Sequence, residues 1–416
     1  MSTLLSVDEV RHHILSQLNP LPVETISLEQ AFRRVLATPI LAPFDLPPFT
    51  NSSVDGFAVR ASDVKEASPS HPVELQVFAD IPAGISPHFT LPPGHAARIM
   101  TGAPLPDGAD AVVPIENTNL SFHDQATQPP HSVQVVAPIK PGENVRSRGQ
   151  DIVRGHPVFE PGHRLRPQDI GLLAALGISH VEVYRQPHLG VFSTGDELIP
   201  LGATPIPGKI YDSNRLMLKM LIEQAGGKAI DLGIVTDTLD NVRTALDAAR
   251  RNKVDLVLTS GGVSVGAFDV VRHLIEQEGE RHLWRVNMRP GKPILFGRYH
   301  ELPILSLPGN PVSVFVGFWV FVRPAINRLA GLPLVPPPRL KAVLEHPVES
   351  DGRESYLRAI VSYTNGQRLA RLAGHQGSGN LFGLSQANAL LIIPAGVKSL
   401  PTGHEVDIWP LDDSLM

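Results

Sequence analysis

Leu189-Gly190-Val191-Phe192-Ser193-Thr194-Gly195-Asp196-Glu197 is an apolar run of strand length that breaks into a polar glycine turn. The same pattern recurs downstream. Apolar stretches at 230–235, 254–258 and 303–305 alternate with helical periodicity over 213–224, near 241–251, near 268–277 and from Pro311 onward. Apolar strands separated by amphipathic helices predict a parallel, doubly wound α/β sheet covered on both faces. In such a sheet the ligand crevice lies beyond the carboxyl ends of the strands, so the turns leaving each strand are where chemistry is expected.

Those turns are polar. The first is Ser193-Thr194-Gly195-Asp196-Glu197 and the second Thr236-Asp237-Thr238. The third is Thr259-Ser260-Gly261-Gly262-Val263-Ser264-Val265-Gly266, followed by Asp269. A helix cap or a solvated loop accounts for any one of these acids. It does not account for acids at the same end of successive strands, which predicts carboxylates converging on one rim. The Gly-rich turn lets backbone approach a ligand closely at a helix N-terminus, which suits a phosphate, with a tight structural turn as the alternative. It lacks the Gly-Lys-Ser/Thr of a Walker loop and the spacing of a dinucleotide fingerprint. Arg285, Arg289 and Lys292 form a cationic stretch whose guanidinium forks suit oxyanions and would face these acids. Carboxylates without thiolates or clustered histidines favour a hard cation such as Mg²⁺ over zinc.

The rest of the chain bounds this reading. With 416 residues, two or three domains are expected. The net charge of −5 gives no basic field for nucleic acid or an anionic membrane. The 35 glycines and 40 prolines, about 18 % of the chain, indicate a turn-rich folded protein. No cysteine is present, which removes disulfides, thiolate nucleophiles and Cys-based zinc sites; sulfur chemistry would need a ligand that brings the sulfur. The N-terminus shows no secretory pattern, and the apolar run 314–322 is shorter than the ~18–20 residues of a bilayer span, so a soluble cytoplasmic protein is expected. Capping boxes at Ser6/Glu9 and Ser27/Gln30 predict two short N-terminal helices. Short β-type runs with many turns fill 39–158, helical periodicity returns at 168–176, and Asn310 with Pro311 opens a buried helix. A stiff proline linker at 331–338 leads to a small all-β module ending at Met416.

Together these segments closely resemble the molybdopterin molybdenumtransferase family, MoeA in bacteria and the gephyrin E domain in animals. The resemblance runs nearly end to end. It is carried by Asn51-Ser52-Ser53-Val54-Asp55-Gly56-Phe57-Ala58-Val59-Arg60, by Arg98-Ile99-Met100-Thr101-Gly102-Ala103 and by Asn144-Val145-Arg146-Ser147-Arg148-Gly149. It continues through residues 193–198, 259–266, 289–293 and 307–311 to Gly374-His375-Gln376-Gly377-Ser378-Gly379. It implies an α/β multidomain chain: an elongated helical and strand domain (1–50 plus 140–186), an inserted β domain (51–139), a MogA-like doubly wound α/β domain (187–332) and a C-terminal β-barrel (333–416).

The resemblance further implies Mg²⁺-dependent insertion of molybdenum from molybdate into the dithiolene of adenylyl-molybdopterin, with release of AMP. Asp55, Thr101, Glu197, Asp237 and Asp269 would be catalytic, with Glu197, Asp237 and Asp269 around the metal. Arg146, Arg285, Arg289, Lys292, Arg358 and Ser378 would contact anions. Ser193, Thr194, Gly195, Ser260, Gly261, Gly262, Ser264, Gly266, Pro308 and Pro311 would line the pterin pocket. A homodimer is implied, with Asp55 and Thr101 closing the cleft from the partner, and a molybdopterin adenylyltransferase and molybdoenzyme maturation factors as neighbours in the route.

The sequence departs from the family pattern in places. Val54 and Phe57 stand where Met and Tyr are usual, Gln150 where Glu is frequent, and Thr238 where a second Asp is common; Arg285 and Arg289 stand where some members carry Lys. Three other readings stay open: a gephyrin-like scaffold, molybdopterin adenylylation, and a CinA-like amidohydrolase, whose second domain has no counterpart here.

Overall fold

The computed structural model describes residues 4–120, 128–262, 270–336, 339–411 and 415. The chain divides into two compact units. The first holds residues 1–37, 161–170 and 180–416, and the second residues 38–160 and 171–179.

The first unit opens with helix α1 (Val7–Ser16), set by a complete capping box. The Ser6 hydroxyl accepts the Glu9 N–H at 3.2 Å, and the Glu9 carboxylate accepts the Ser6 N–H at 2.8 Å. Val7, Val10 and Ile14 form its buried stripe. The second expected box is not formed. Ser27 is the last residue of strand β1 (Val23–Ser27), with His180 as its register partner, and Leu28–Gln30 makes only a single 3₁₀ turn without a side-chain cap.

The second unit is built on strands β2 (Gly56–Val59), β3 (Val73–Ile81), β4 (His95–Ile99), β5 (Ala111–Pro114) and β6 (Ser132–Val135). They form one five-stranded sheet in the order β5-β2-β4-β3-β6. Its interior strand β2 is buried on both faces: Phe57 and Val59 face one core, Ala58 the other. Gly56 is a steric requirement, because a Cβ there would lie 2.0 Å from the Val113 carbonyl oxygen.

The first unit resumes with β7 (His180–Tyr184), antiparallel to β1. Then follow β8 (His188–Thr194), α2 (Ser213–Gln224), β9 (Lys228–Val235), α3 (Leu239–Arg251), β10 (Leu256–Ser260), α4 (Val270–Glu278), β11 (Gly279–Arg285), β12 (Met288–Arg289), β13 (Pro293–Tyr299) and β14 (Leu302–Leu307). The main sheet has the order β9-β8-β10-β14-β13-β11. Its first four strands are parallel, as the alternating pattern predicts. The last two pairings, β14 with β13 and β13 with β11, are antiparallel, so β13 runs against the other five strands and the expectation of a parallel sheet is corrected at this edge. The physical reason is connection length: only two residues join β13 to β14, with His300 at φ 52°, and a turn that short allows a hairpin but no crossover.

Beyond β14, Asn310 sits at the N-cap of a helix and Pro311 at its first turn, but the Asn310 side chain makes no capping bond. The helix runs from Pro311 to Leu329, widening into a π turn over Phe318–Val322. Pro324 has no N–H to offer the Val320 carbonyl, which accounts for the widening. This helix is longer than the apolar run that marks it in sequence. By length and composition alone it would cross a membrane, but 72 % of its most apolar window is buried in the protein, where it forms the main core with α1, α2 and the sheet. The C-terminal strands β15 (Leu340–Leu344), β16 (Glu354–Thr364), β17 (Gln367–Leu372), β18 (Ala389–Ile393) and β19 (Glu405–Pro410) pair in the order β16-β17-β15-β19-β18, and β18 returns to β16 to close a barrel. The expected C-terminal β module is therefore a closed five-stranded barrel.

Two consequences are measurable. Gly56→Ala is expected to destabilise the second unit by about 1–3 kcal/mol through overpacking against Val113, read as a lowered melting temperature; an unchanged melting curve would contradict the contact. The second concerns His13, whose Nε2 is buried without a partner, with its ring 5.7 Å from that of His282. Burial, then the His282 charge, holds its pKa below the usual 6.5. The fold therefore keeps His13 neutral, whereas the unfolded chain takes up a proton below about pH 6.5. The stabilisation is complete above that pH and falls as pH drops through it. Denaturant melts at pH 7.5 and 5.5 should show a smaller acid loss for His13→Leu than for the natural chain; equal losses would place a charged His13 in the fold.

Candidate active site

The carboxyl ends of β8, β9, β10 and β14 form one edge of the sheet, and most of the polar residues expected there lie on it. Ser193 is buried and donates to Asp212 Oδ1 at 2.9 Å. Asp212 also caps α2 by accepting from the Arg215 backbone and is held by Arg215 Nε at 2.8 Å. Asn214, in the first turn of α2, donates 2.8 Å to Ser260 Oγ and 2.7 Å to the Gly309 carbonyl. It thereby ties the ends of β10 and β14 together. Gly261 and Gly262 have positive φ of 95° and 68°. A Cβ on Gly261 would lie 2.6 Å from the Thr194 carbonyl oxygen, so these glycines are required by the approach of one turn to the next strand end.

Three polar atoms along this edge, Thr194 Oγ1, Asn214 Oδ1 and Asp237 Oδ1, are buried without a hydrogen-bond partner. Buried orphans of this kind need an explanation, and a bound ligand supplies one. Asp237 follows β9, and its backbone N–H reaches Asp196 Oδ1 at 3.3 Å. Burial, then the negative charge of Asp196, pushes the Asp237 carboxyl above its ordinary value. Acids from two successive strands thus do converge. Asp196 belongs with them, although sequence reasoning singled out Glu197, whose carboxylate folds back over Gly195. Thr238 keeps a local task as N-cap of α3, its hydroxyl accepting the Asn241 N–H at 3.4 Å. Ser264, Gly266 and Asp269 lie outside the described residues. Among the described residues, no group of three His, Cys, Asp or Glu is arranged to hold a metal ion. The orphaned Asp237 oxygen beside Asp196 nevertheless suits a hard cation.

The expected cationic stretch is not a simple surface turn. Arg285 ends antiparallel strand β11, while Met288–Arg289 forms β12 and pairs in parallel with Glu354 and Ser355 of the barrel. This pairing sets Arg289 and Lys292 on a cleft of about 390 Å³ between sheet edge and barrel. Pro308, Asn310, Arg353, Arg358 and Ser378 are among its walls, and no carboxylate is among its described lining residues. The Arg289 and Lys292 side chains therefore face this cleft, and the expectation that they face the acids is corrected. Ser378 is anchored because its carbonyl accepts the Val312 N–H at 3.0 Å. Arg358 is 1 % exposed. Its two terminal nitrogens donate to the carbonyls of Gly377 (3.0 Å) and His375 (2.7 Å), fixing the Gly374–Gly379 turn, and its Nε is left without a partner. Burial lowers the Arg358 pKa, and no acid among the described residues pairs with it. Such a buried, uncompensated cation favours an anion nearby. The turn at 308–310 lines the cleft with Pro308 and Asn310 and is tied to the carboxyl edge of the sheet by Asn214, which grips it at Gly309. Pro311 is the first residue of the long helix behind it.

In the second unit, Asp55 and Thr101 meet as expected: the Thr101 N–H and hydroxyl both donate to Asp55 Oδ1 at 2.7 Å. Phe57 is 1 % exposed and serves as core packing there. Arg146 is exposed on a short strand paired with Asn51. Sequence reasoning missed Asp196, Asp212, Asn214 and Asn310. Asp212 and Asn214 read in sequence only as a helix start.

Residues 5–177 match the MoeA N-terminal region (domains I and II), residues 190–328 a probable molybdopterin binding domain, and residues 341–411 the MoeA C-terminal region (domain IV). The molybdopterin molybdenumtransferase of Nostoc sp. is 40 % identical over 395 residues, covering 93 % of this chain and 88 % of that protein. That of Haemophilus influenzae is 36 % identical over 418 residues, covering 99 % and 100 %. The crystal structure of a molybdopterin biosynthesis MoeA protein from Pyrococcus horikoshii superposes with a TM-score of 0.79 at 32 % identity, over 99 % of this chain and 100 % of that one. Sequence, three consecutive domain matches and full-length fold agree, and the chain belongs to the molybdopterin molybdenumtransferase family.

Proposed function

We propose that this enzyme of molybdenum cofactor biosynthesis inserts molybdenum from molybdate into the dithiolene of adenylyl-molybdopterin and releases AMP, with Mg²⁺ as cofactor. The observation that carries the reading is a cleft walled by Arg289, Lys292 and Arg358, with no carboxylate among its described lining residues, tied through Asn214 and the 308–310 turn to the sheet edge that bears Asp196, Glu197 and Asp237. Molybdate and the phosphates of the pterin substrate are oxyanions and suit the cationic walls. The adenylate would lie along the Ser193–Gly195 and Ser260–Gly262 turns. The absence of cysteine fits a reaction in which the substrate supplies both sulfurs.

Asp237 and Asp196 would contribute two carboxylates to Mg²⁺, and Asp269 is the candidate for a third. Bound there, the ion supplies charge neutralisation at the phosphoanhydride. Arg289 and Lys292 would orient the departing phosphate and the incoming molybdate, and Arg358 would hold the Ser378 turn in place for the same anion. Asn214 would keep the two strand ends, and therefore acids and cations, in fixed register.

A homodimer completes the proposal, with Asp55 and Thr101 of the partner subunit closing the cleft. Its support is an exposed apolar set on the first unit, Leu201, Ile206, Ile210, Leu216 and Met220, which are 44–61 % exposed. A cytoplasmic setting, substrate from an adenylyltransferase and hand-over of the product to maturation factors complete the proposed context.

Purified protein with adenylyl-molybdopterin, Mg²⁺ and molybdate should release AMP faster than without molybdate; no stimulation would reject the reading. Asp237→Asn should cut the rate at least tenfold. Arg289→Ala should cost on the order of 100-fold, mostly in the molybdate dependence. Light scattering should give twice 45.0 kDa; a strict monomer would remove the shared cleft.

A further inference from the structure

A second cavity, of about 320 Å³, lies in the first unit between α1, the 311–329 helix, the 333–336 stretch and the end of β19. The reaction proposed above does not use it. Trp319 and Trp409 form part of its wall, with ring centroids 5.7 Å apart and planes at 76°. Both residues are almost fully buried, at 7 % and 3 % exposure, and both indole N–H groups lack an acceptor. Buried tryptophan normally finds a partner for that group. Leu15 and the prolines at 324, 333 and 336 add apolar wall.

The charges point the same way. The Arg323 guanidinium stacks 4.5 Å above the Trp319 ring, and no carboxylate among the described residues pairs with it. Arg164 donates 3.2 Å to Oδ1 of Asn327, a wall residue, and its Nε is buried without an acceptor. Burial, then the charges of Arg323 and Arg33, lowers the Arg164 pKa, as expected for cations gathered without an acid. No Asp or Glu is among the described residues of the cavity wall. Arg11, also in the wall, is already paired with Asp8 on its own helix.

The site therefore has a guanidinium without an acid partner among the described residues, and flat apolar walls. We propose that it binds a small aromatic carboxylate, the ring lying against the indoles and the carboxylate taking the charge of Arg323. A bare oxyanion would leave the indole faces and prolines facing water, and an uncharged aromatic would leave the guanidinium unmatched. The volume suits a body of one or two rings.

The test is isothermal titration calorimetry on the full-length protein with 1-naphthoate, with 1-naphthalenemethanol as its uncharged counterpart and inorganic phosphate as its ring-free one. One saturable site for naphthoate is expected, with the alcohol and phosphate each at least about tenfold weaker. Arg323→Met should weaken naphthoate about tenfold while molybdate-stimulated AMP release is retained. Val335→Asp provides a second variant at a residue 76 % exposed, where folding is not at stake; the added carboxylate at the mouth should also weaken naphthoate. No saturable naphthoate binding, equal binding of the alcohol or phosphate, or unchanged affinity in both variants would overturn the proposal.

Discussion

The contact on which the candidate site depends is the approach of Gly261 to the end of strand β8, where a single added carbon would lie 2.6 Å from the Thr194 carbonyl oxygen. Strands β8 and β10 are buried along their lengths and carry almost no polar side chains until their last residues. Their carboxyl ends therefore collect the hydroxyls, amides and acids that the core excludes. Because the turns are glycine, they close down on one another, and Ser193 bonded to Asp212 and Ser260 bonded to Asn214 fall along one rim. A bulkier turn would push the rim apart and separate the acids of β8 and β9 from the cleft beside β14.

Much of this was legible in the sequence, for identifiable reasons. The expected helix over 213–224 matches the observed limits of α2, because its periodicity and the Gly226-Gly227 stop are local signals; the Asp212 cap that starts it is seen in the structure. The parallel strands were visible because burial on both faces leaves an unbroken apolar run. Asp55 and Thr101 emerged only through family resemblance. Forty-six positions separate them, and no periodicity spans that distance. The antiparallel edge was missed because β11 mixes charged and apolar residues and the hairpin signal at His300-Glu301 has none of the usual Asn-Gly chemistry. Asn214 was missed because an amide in the first turn of a helix looks like capping, and its contacts with Ser260 and Gly309 exist only after folding. The expected opposition of acids and arginines failed for a related reason: β12 is captured by the barrel, which nothing in residues 285–292 announces.

The two orders of buried charge in the first unit differ in character. Asp212, Arg215, Asp231 and Lys219 form a closed network in which every charge has a partner, and it braces α2 against β9. Arg358 is buried and Arg323 and Arg164 partly buried, and none of the three has an acid partner among the described residues. Networks of the first kind hold a fold together, whereas cations of the second kind reduce its stability until an anion arrives. That contrast separates scaffold from site more cleanly here than any inventory of residue types.

The pairing of Met288–Arg289 with barrel strand β16 has a wider meaning for how such a chain can change. Part of the α/β domain's anion grip is stitched into the hydrogen-bond ladder of a module that follows it by more than fifty residues. The barrel is therefore not an appendage that recombination could trim or exchange freely. Any replacement would have to offer a free ladder edge in the same register, or the arginine would lose its seat. The two modules are bound to drift together, and the sheet that carries the chemistry has given up its independence as a transferable part.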